Sequence, residues 1–152
     1  MRISAKADYA VRAAAQLASR SDEGPVPAEA LARAQEIPHR FLEVILSDLR
    51  REGIVVSRRG AGGGYLLGRP AEQVTVADVV RAVDGPLVFV RDARPSDLEY
   101  EGAAVVLLDL WVALRVNVRA VLDGVTLADL VTGSLPEAVQ ALTGRAGAWE
   151  NF

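Results

Sequence analysis

Four polar side chains with the chemistry to recognise DNA bases recur at helical spacing: Arg40, Glu43, Ser47 and Arg50. Steps of three or four residues place them on one face of a helix predicted over residues 39–51. Arginine donates two hydrogen bonds to guanine, glutamate accepts one from cytosine, and serine bonds to either kind of base edge. The pattern predicts a helix that enters the DNA major groove, with His39, Arg40 and Glu43 nearest the bases because they lie early in the helix. An ordinary solvated face of an amphipathic helix is the alternative interpretation.

A glycine-rich segment follows this helix and begins with two arginines, Arg58 and Arg59. Glycines leave a tip with little side-chain bulk that can approach a sugar–phosphate backbone closely, and an arginine on such a tip suits a narrow minor groove. The DNA contacts predicted for this tip are Arg58, Arg59, Gly60, Gly62, Gly63 and Tyr65. A flexible turn with incidental arginines is one alternative. A phosphate-binding loop is another, but its motif needs glycine where Tyr65 stands and a helix where an apolar strand follows.

Three residues of the first predicted helix, Lys6, Tyr9 and Arg12, are further candidates for DNA contact. The ammonium group of Lys6 and the hydroxyl group of Tyr9 are suited to phosphates, and such contacts would position the protein without reading the base sequence. Packing of Tyr9 between helices is the alternative.

These candidates need a scaffold of short helices and one hairpin. Apolar residues at helical spacing predict three helices, over about residues 4–18, 28–35 and 39–51. Two short apolar runs around the glycines predict a β-hairpin over residues 54–67. Thr75 and Asp78 form a capping box that opens a fourth helix, which Gly85 ends. The sequence therefore predicts a mainly α fold with a small β-hairpin, a winged helix-turn-helix.

A long apolar helix is predicted near the C-terminus, from about Gly102 to Asp123, and Thr126 opens a short helix after it. A helix that is apolar nearly all round must be buried nearly all round, so we expect one flank on its own domain and the other on a second copy. For Trp111, a plain core position within one chain is the alternative to an interface anchor. The predicted dimer contacts are Val105, Leu108, Trp111, Val112, Arg115 and Val116.

The 152-residue chain contains no cysteine and one histidine, His39. Disulfides, thiolate-bound metal clusters, thiol catalysis and multi-histidine sites are therefore excluded. The sequence contains no nucleophile–base pair and no cofactor motif, so we predict no catalytic residues, no cofactor and no enzyme. Residues 1–69 hold 11 basic and 8 acidic side chains, whereas residues 70–152 hold 6 and 12. This asymmetry suggests that only the first half meets a polyanion.

No segment of the sequence has the character of a membrane span or a signal peptide. Charged residues interrupt the N-terminal stretch, unlike the apolar centre of a signal peptide. The most apolar stretch, residues 103–122, carries Asp109, Arg115 and Arg119, which are costly at the centre of a bilayer. We therefore expect a cytoplasmic protein.

Four motifs stand out when the chain is taken as a whole: M-R-I-S-x-K-x-x-Y-A-V-R at 1–12, L-x-x-L-R-x-x-G-I-V at 46–55, R-G-x-G-G-G-Y-L-L at 59–67 and V-x-x-A-V-D-G at 79–85. Together they resemble the Rrf2 family of bacterial winged-helix transcription regulators, over about residues 1–133. The resemblance implies a homodimer, built on the long C-terminal helix, that binds a near-palindromic DNA operator. The DNA contacts that it implies are Arg40, Phe41, Glu43, Arg50 and Arg59.

The sensor of the family does not carry over. Cluster-binding members place three cysteines between the fourth helix and the dimer helix, and this chain has none between Val90 and Leu107. The resemblance therefore implies a cysteine-free member that lacks the iron–sulfur ligands. Carboxylates in this stretch suit either a hard cation such as Mg²⁺ or a solvated acidic loop, and we predict the loop, with no metal. The carboxylates are Asp92, Asp97, Glu99 and Glu101.

The sequence thus predicts a dimeric DNA-binding transcription regulator, a repressor that holds its operator with the helix over residues 39–51 and the hairpin. A signal that does not involve cysteine is expected to control it, through a small-molecule effector or, as the alternative, a protein partner. The predicted parts are a DNA-binding domain (1–86), an effector or sensor segment (87–102), a dimerisation helix with the short helix after it (103–133), and a tail (134–152) in which Trp149 and Phe152 are available to dock.

Overall fold

The computed structural model describes residues 2–150. Within these residues the fold has seven α-helices and one antiparallel hairpin, which confirms the predicted winged helix-turn-helix followed by a long C-terminal helix. The first three helices are α1 (Ala5–Ser19), α2 (Ala28–Gln35) and α3 (His39–Arg51). The hairpin of β1 (Val55–Arg58) and β2 (Gly64–Leu67) precedes α4 (Val76–Asp84). The C-terminal part contains α5 (Leu107–Asp123), α6 (Leu127–Thr132) and α7 (Glu137–Thr143).

Helix α1 lies at the centre of the fold and packs against α2, α3, α4 and α6. Its buried face is built mostly of alanines, whose small side chains let several helices approach the same axis. Ser4 begins the helix, because its Oγ atom accepts a hydrogen bond of 2.9 Å from the Ala7 amide. The fully buried alanines are Ala7, Ala10, Ala13 and Ala14.

Helix α3 presents one apolar face to this core. Glu36 ends α2 in the left-handed conformation, and Pro38 then begins α3 after a turn of three residues. Full burial of each large aliphatic side chain contributes about 1.5–3 kcal/mol, so the inner face of α3 fixes the helix firmly against α1. The buried residues of α3 are Leu42, Ile45, Leu46 and Leu49.

The hairpin is joined to the helical core through the loop before α2. Val26 exchanges two backbone hydrogen bonds with Tyr65, of 2.9 and 2.8 Å, and so pairs with the outer edge of β2. A Cβ atom at Gly64 would lie 2.4 Å from the carbonyl oxygen of Val26, and one at Gly63 would lie 2.4 Å from the carbonyl oxygen of Arg58. These two glycines are therefore required by the fold of the hairpin itself, whatever the tip contacts.

The C-terminal helices fold back onto the first domain at a pair of adjacent capping boxes. Thr75 caps α4 with Asp78, and Thr126 caps α6 with Asp129. The two helix starts are joined by backbone hydrogen bonds of 2.8 Å from the Val76 amide to Val125 and 2.9 Å from the Leu127 amide to Val74. The end of α5 is thereby fixed close to the start of α4.

The long helix begins later than the sequence predicts. Residues 102–104 form a 3-10 turn, and α5 starts at Leu107 rather than near Gly102. Gly102 has a φ of 60°, which a right-handed helix excludes, and Val106 at the N-cap has no oxygen to accept from the first amides. In the tail, Trp149 is exposed, and the expected docking of Phe152 lies outside the described residues. Within residues 2–150, every helix is too short or too polar to cross a membrane.

Candidate nucleic-acid interface

The outer face of α3 is exposed and largely polar. Its residues lie opposite the buried aliphatic side chains and at the spacing that the sequence predicts. We call this set the reading face: His39, Arg40, Glu43, Val44, Ser47 and Arg50.

The polar groups of the reading face make few contacts with the rest of the protein. The Nδ1 atom of His39 lies 3.5 Å from Oε1 of Glu43, and both side chains are more than half exposed. The guanidinium of Arg40 lies 5.1 Å from the ring centre of Phe41, a cation–π contact that leaves its N–H donors free. Arg50 forms no salt bridge within residues 2–150, whereas its neighbour Arg51 pairs with Asp48 at 3.0 Å. The two arginines of this face therefore have donors available for guanine.

Val44 is a member of the reading face that sequence reasoning did not select. It is 53% exposed, which is unusual for a valine on a helix whose inner face is fully packed. It lies next to Glu43 and one turn before Ser47, so its methyl groups stand among the polar side chains. The available signal was its position in the helical repeat, because an apolar side chain on this face suits the methyl group of thymine.

The tip of the hairpin also leaves its arginines free. Arg58 and Arg59 are exposed, and neither makes a salt bridge with any residue that the structure describes. Among residues 2–150, no atom beyond the adjacent residues lies within 4 Å of a Cβ atom built at Gly60 or Gly62, so the tip is open at both glycines. Tyr65, by contrast, pairs with Ser57 one step below the tip, and its side chain is half-buried against the core.

Lys6, the only lysine of the chain, is engaged inside the protein. Its ammonium group donates to Asp48 on α3 at 2.7 Å and to the carbonyl oxygen of Val83 on α4 at 2.9 Å. The hydrogen bond from Lys6 holds the pKa of the Asp48 carboxyl below its ordinary value of 3.8, against the opposing effect of burial. Lys6 thus links α1 to α3 and α4.

The aromatic candidates Tyr9 and Phe41 pack against each other between α1 and α3. Their ring centres are 5.6 Å apart, and both rings are half-buried against the core. Arg12 lies 5.4 Å from the ring centre of Tyr9 and also donates to the carbonyl oxygen of Gln35. This geometry agrees with the packing interpretation of Tyr9 and makes Phe41 a support for Arg40.

The six predicted dimer contacts divide between the two sides of the α5 region. Leu108, Trp111 and Arg115 are half-buried and face their own chain, where the indole N–H of Trp111 donates to the Tyr100 hydroxyl at 3.1 Å. The remaining three, Val105, Val112 and Val116, lie on the exposed side of this region. That side also carries the exposed apolar residues Val106 and Leu110.

Metal ligands do not converge in the described part of the chain. No group of three or more His, Cys, Asp or Glu side chains lies together within residues 2–150, and this includes Asp92, Asp97, Glu99 and Glu101. The single histidine, His39, stands on the reading face.

Comparison with known proteins identifies the family of the chain. The family described as Rrf2, iron-dependent transcriptional regulator, matches residues 3–133. The word iron in that description does not fit the donors present here, because the chain has no cysteine to hold an iron–sulfur cluster. The match therefore supports the regulator fold for this chain but does not support an iron–sulfur site in it.

Individual relatives match this chain along most of their own length. A Mycobacterium tuberculosis protein, Rv1287, which is named as an HTH-type transcriptional regulator, is 50% identical over 93% of this chain and 88% of its own. The structure of CymR, the global cysteine regulator of Bacillus subtilis, has a TM-score of 0.71 at 32% identity over 88% of this chain and 98% of its own. IscR of T. potens has a TM-score of 0.72 at 31% identity over 96% and 94%. The chain therefore belongs to the Rrf2 family and is a DNA-binding transcription regulator rather than an enzyme.

Proposed function

We propose that two copies of this chain bind one near-palindromic DNA operator and repress the adjacent promoter. In this proposal the two α3 helices enter successive major grooves, and the hairpin tips reach the flanking minor grooves. The observation that carries the proposal is that the fold leaves the reading face and the paired arginines Arg58 and Arg59 exposed, with free hydrogen-bond donors. Repression follows physically, because a dimer that covers two helical turns of a promoter obstructs other proteins there.

The reading face divides into chemically distinct contacts. We assign Arg40 and Arg50 to guanine, Glu43 to cytosine and Val44 to the methyl group of thymine, and Ser47 and His39 to whichever polar base edge lies beside them. The hairpin arginines serve the backbone and the minor groove, so they add affinity without strong base preference. Lys6, Tyr9, Phe41 and Tyr65 then support the interface from within the protein.

The exposed side of the α5 region is the proposed dimer contact. A row of valines and a leucine left in water is unfavourable, and each residue that a second copy covers contributes hydrophobic free energy. The occupant is a second copy of this chain because a two-fold arrangement presents two identical reading faces to one duplex. The half-buried Leu108, Trp111 and Arg115 support this contact from the inner side.

The proposed division of the chain follows from these roles. Residues 1–86 bind DNA, residues 87–102 receive a signal that needs no cysteine, residues 103–133 hold the dimer together, and residues 134–152 form a tail. The protein acts in the cytoplasm, where bacterial promoters lie.

A titration of labelled duplex DNA tests the proposal. At low ionic strength the full chain should bind duplex DNA as two chains per operator, by fluorescence polarisation together with sedimentation. The double variant Arg40→Ala, Arg59→Ala should lose this binding while it keeps its circular dichroism spectrum. The matched double variant Arg33→Ala, Arg145→Ala, in which both arginines are also exposed, should retain it. Failure of the unmodified chain to bind duplex DNA in dilute salt contradicts the proposal.

A further inference from the structure

A cavity lies where the DNA-binding domain meets the dimerisation helix. Its volume is about 340 Å³, within the range of small-ligand sites, and it is bounded by the end of α4, the segment from Gly85 to Arg94, and α5. Pro86, Leu87 and Val88 supply its apolar wall. The charged lining consists of four arginines: Arg81, Arg94, Arg115 and Arg119.

The four arginines of the cavity lie in a part of the chain that is acidic overall. Residues 70–152 hold only 6 arginines and no lysine, against 12 acidic side chains. Four of those six arginines line this one cavity.

The cavity arginines are only partly neutralised. Asp123 accepts from Arg81 at 2.7 Å and from Arg119 at 3.3 Å, and Asp78 lies 3.7 Å from Arg81. Arg94 and Arg115 make no salt bridge with any residue from 2 to 150. Two carboxylates thus face four guanidinium groups, which leaves an excess of two positive charges beside an apolar wall.

We propose that this cavity binds a small metabolite that carries two oxyanion groups, carboxylate or phosphate. Guanidinium groups bind both kinds of oxyanion through paired N–H donors, and the excess of two positive charges favours a ligand with at least two negative charges. The volume of about 340 Å³ suits a small molecule. Arg94 and Arg115 are the main contacts, because Arg81 and Arg119 already share Asp123.

The site is positioned to act on the DNA-binding domain, and this part of the inference rests on the proposed function. Arg81 and Val83 belong to the same turn of α4, and the carbonyl oxygen of Val83 accepts from Lys6, which also pairs with Asp48 on α3. A ligand that bridges Arg94 and Arg115 ties the segment after α4 to α5. It thereby fixes the angle between the DNA-binding domain and the dimer helix, and with it the spacing of the two reading faces.

Calorimetry on the full chain without DNA tests the site itself, with succinate and inorganic pyrophosphate as the two probes. One of them should bind with one site per chain and a Kd below about 1 mM. The double variant Arg94→Gln, Arg115→Gln should weaken this binding by at least about tenfold. The matched control Arg33→Gln, Arg145→Gln and the hairpin variant Arg59→Ala should leave it unchanged. The preferred probe distinguishes a dicarboxylate from a phosphate ligand.

Two results would overturn the site. One is the absence of saturable binding by either probe, and the other is an equal loss in the cavity variant and the matched control, which would indicate bulk electrostatics. A melting curve for each variant verifies that it is folded. Since DNA is absent, these results are independent of whether the chain binds an operator.

The coupling to DNA has its own measurement. At constant ionic strength, the effective probe should change the Kd for operator DNA by about fivefold or more in the unmodified chain, and not in the Arg94→Gln, Arg115→Gln variant. An unchanged Kd for operator DNA at saturating probe would contradict the proposed regulation of DNA binding. It would not contradict binding of the probe at the cavity.

Discussion

The clearest test of the distinction between structural and DNA-contacting cations is Lys6→Met, which keeps the aliphatic stem and removes the ammonium group. Lys6 makes two hydrogen bonds, to Asp48 at 2.7 Å and to the Val83 carbonyl oxygen at 2.9 Å. The side chains of Lys6 and Asp48 are 28% and 13% exposed, so water replaces these contacts only in part. Arg51 stays within 3.0 Å of Asp48 and limits the loss.

From these contacts we expect Lys6→Met to lower the free energy of unfolding by about 1–2 kcal/mol, less than two fully buried charged hydrogen bonds. The melting temperature should fall by roughly 2–4 °C for each kcal/mol. The same substitution should leave the slope of log K for DNA against log salt unchanged, because no phosphate contact is removed. Each lost phosphate contact would reduce that slope by about 0.9.

The pH dependence follows from Asp48. Its pKa is lowered in the folded protein, so the stabilisation by Lys6 is present above the ordinary value of 3.8 and is lost as pH falls through the folded value. The difference in unfolding free energy between Lys6→Met and the unmodified chain should therefore be constant near neutral pH. It should decrease toward zero only below about pH 4.

Urea denaturation across pH and salt titrations of DNA binding measure both effects. The exposed Arg145→Met serves as the matched loss of one cation and should change the unfolding free energy by no more than about 0.5 kcal/mol. A Lys6→Met protein with unchanged stability and a shallower salt slope would refute the reasoning, and would return Lys6 to the DNA surface.

The remaining predictions concern the two proposed interfaces. Arg59→Ala should weaken binding to all duplexes alike and reduce the salt slope by about one, and a loss confined to a few sequences would argue against a backbone role. Glu43→Ala should change the preference at one base pair per half-site by about 1–3 kcal/mol in a binding selection, and behaviour like that of Arg59→Ala would refute the division of roles. Deoxyuridine in place of thymidine in the operator should weaken binding by the unmodified chain but not by Val44→Ala, whereas equal losses would exclude the methyl contact. Val116→Asp should give a monomer in sedimentation. The control Val131→Asp, which changes an exposed valine on α6, should stay dimeric. A dimeric Val116→Asp protein would place the interface elsewhere.

Local signals explain why much of the first domain could be predicted from the sequence. Helix α3 has the predicted bounds because its apolar repeat is bordered by Pro38 and by Gly53, which has a φ of 69°. The capping boxes at Thr75 and Thr126 are likewise complete within four residues. Such features depend on neighbours in the chain and need no knowledge of the tertiary fold.

The start of α5 could not be predicted because the apolar run continues without a capping residue to mark the boundary. The role of Lys6 was hidden for another reason, since its partners Asp48 and Val83 lie 42 and 77 residues away along the chain. The same holds for the cavity, where Arg81 and Arg119 meet only once α5 has folded back beside α4. Sequence spacing thus located the exposed helical faces, while the long-range pairing of charges required the structure.

Sequencing of duplexes selected by the purified chain from a random pool tests the central claim most directly. The account predicts a consensus with two-fold symmetry, in which the two half-sites are separated by about one helical turn or a multiple of it. A consensus without internal symmetry, or enrichment of no common sequence at all, would contradict the two-fold binding of DNA by paired α3 helices.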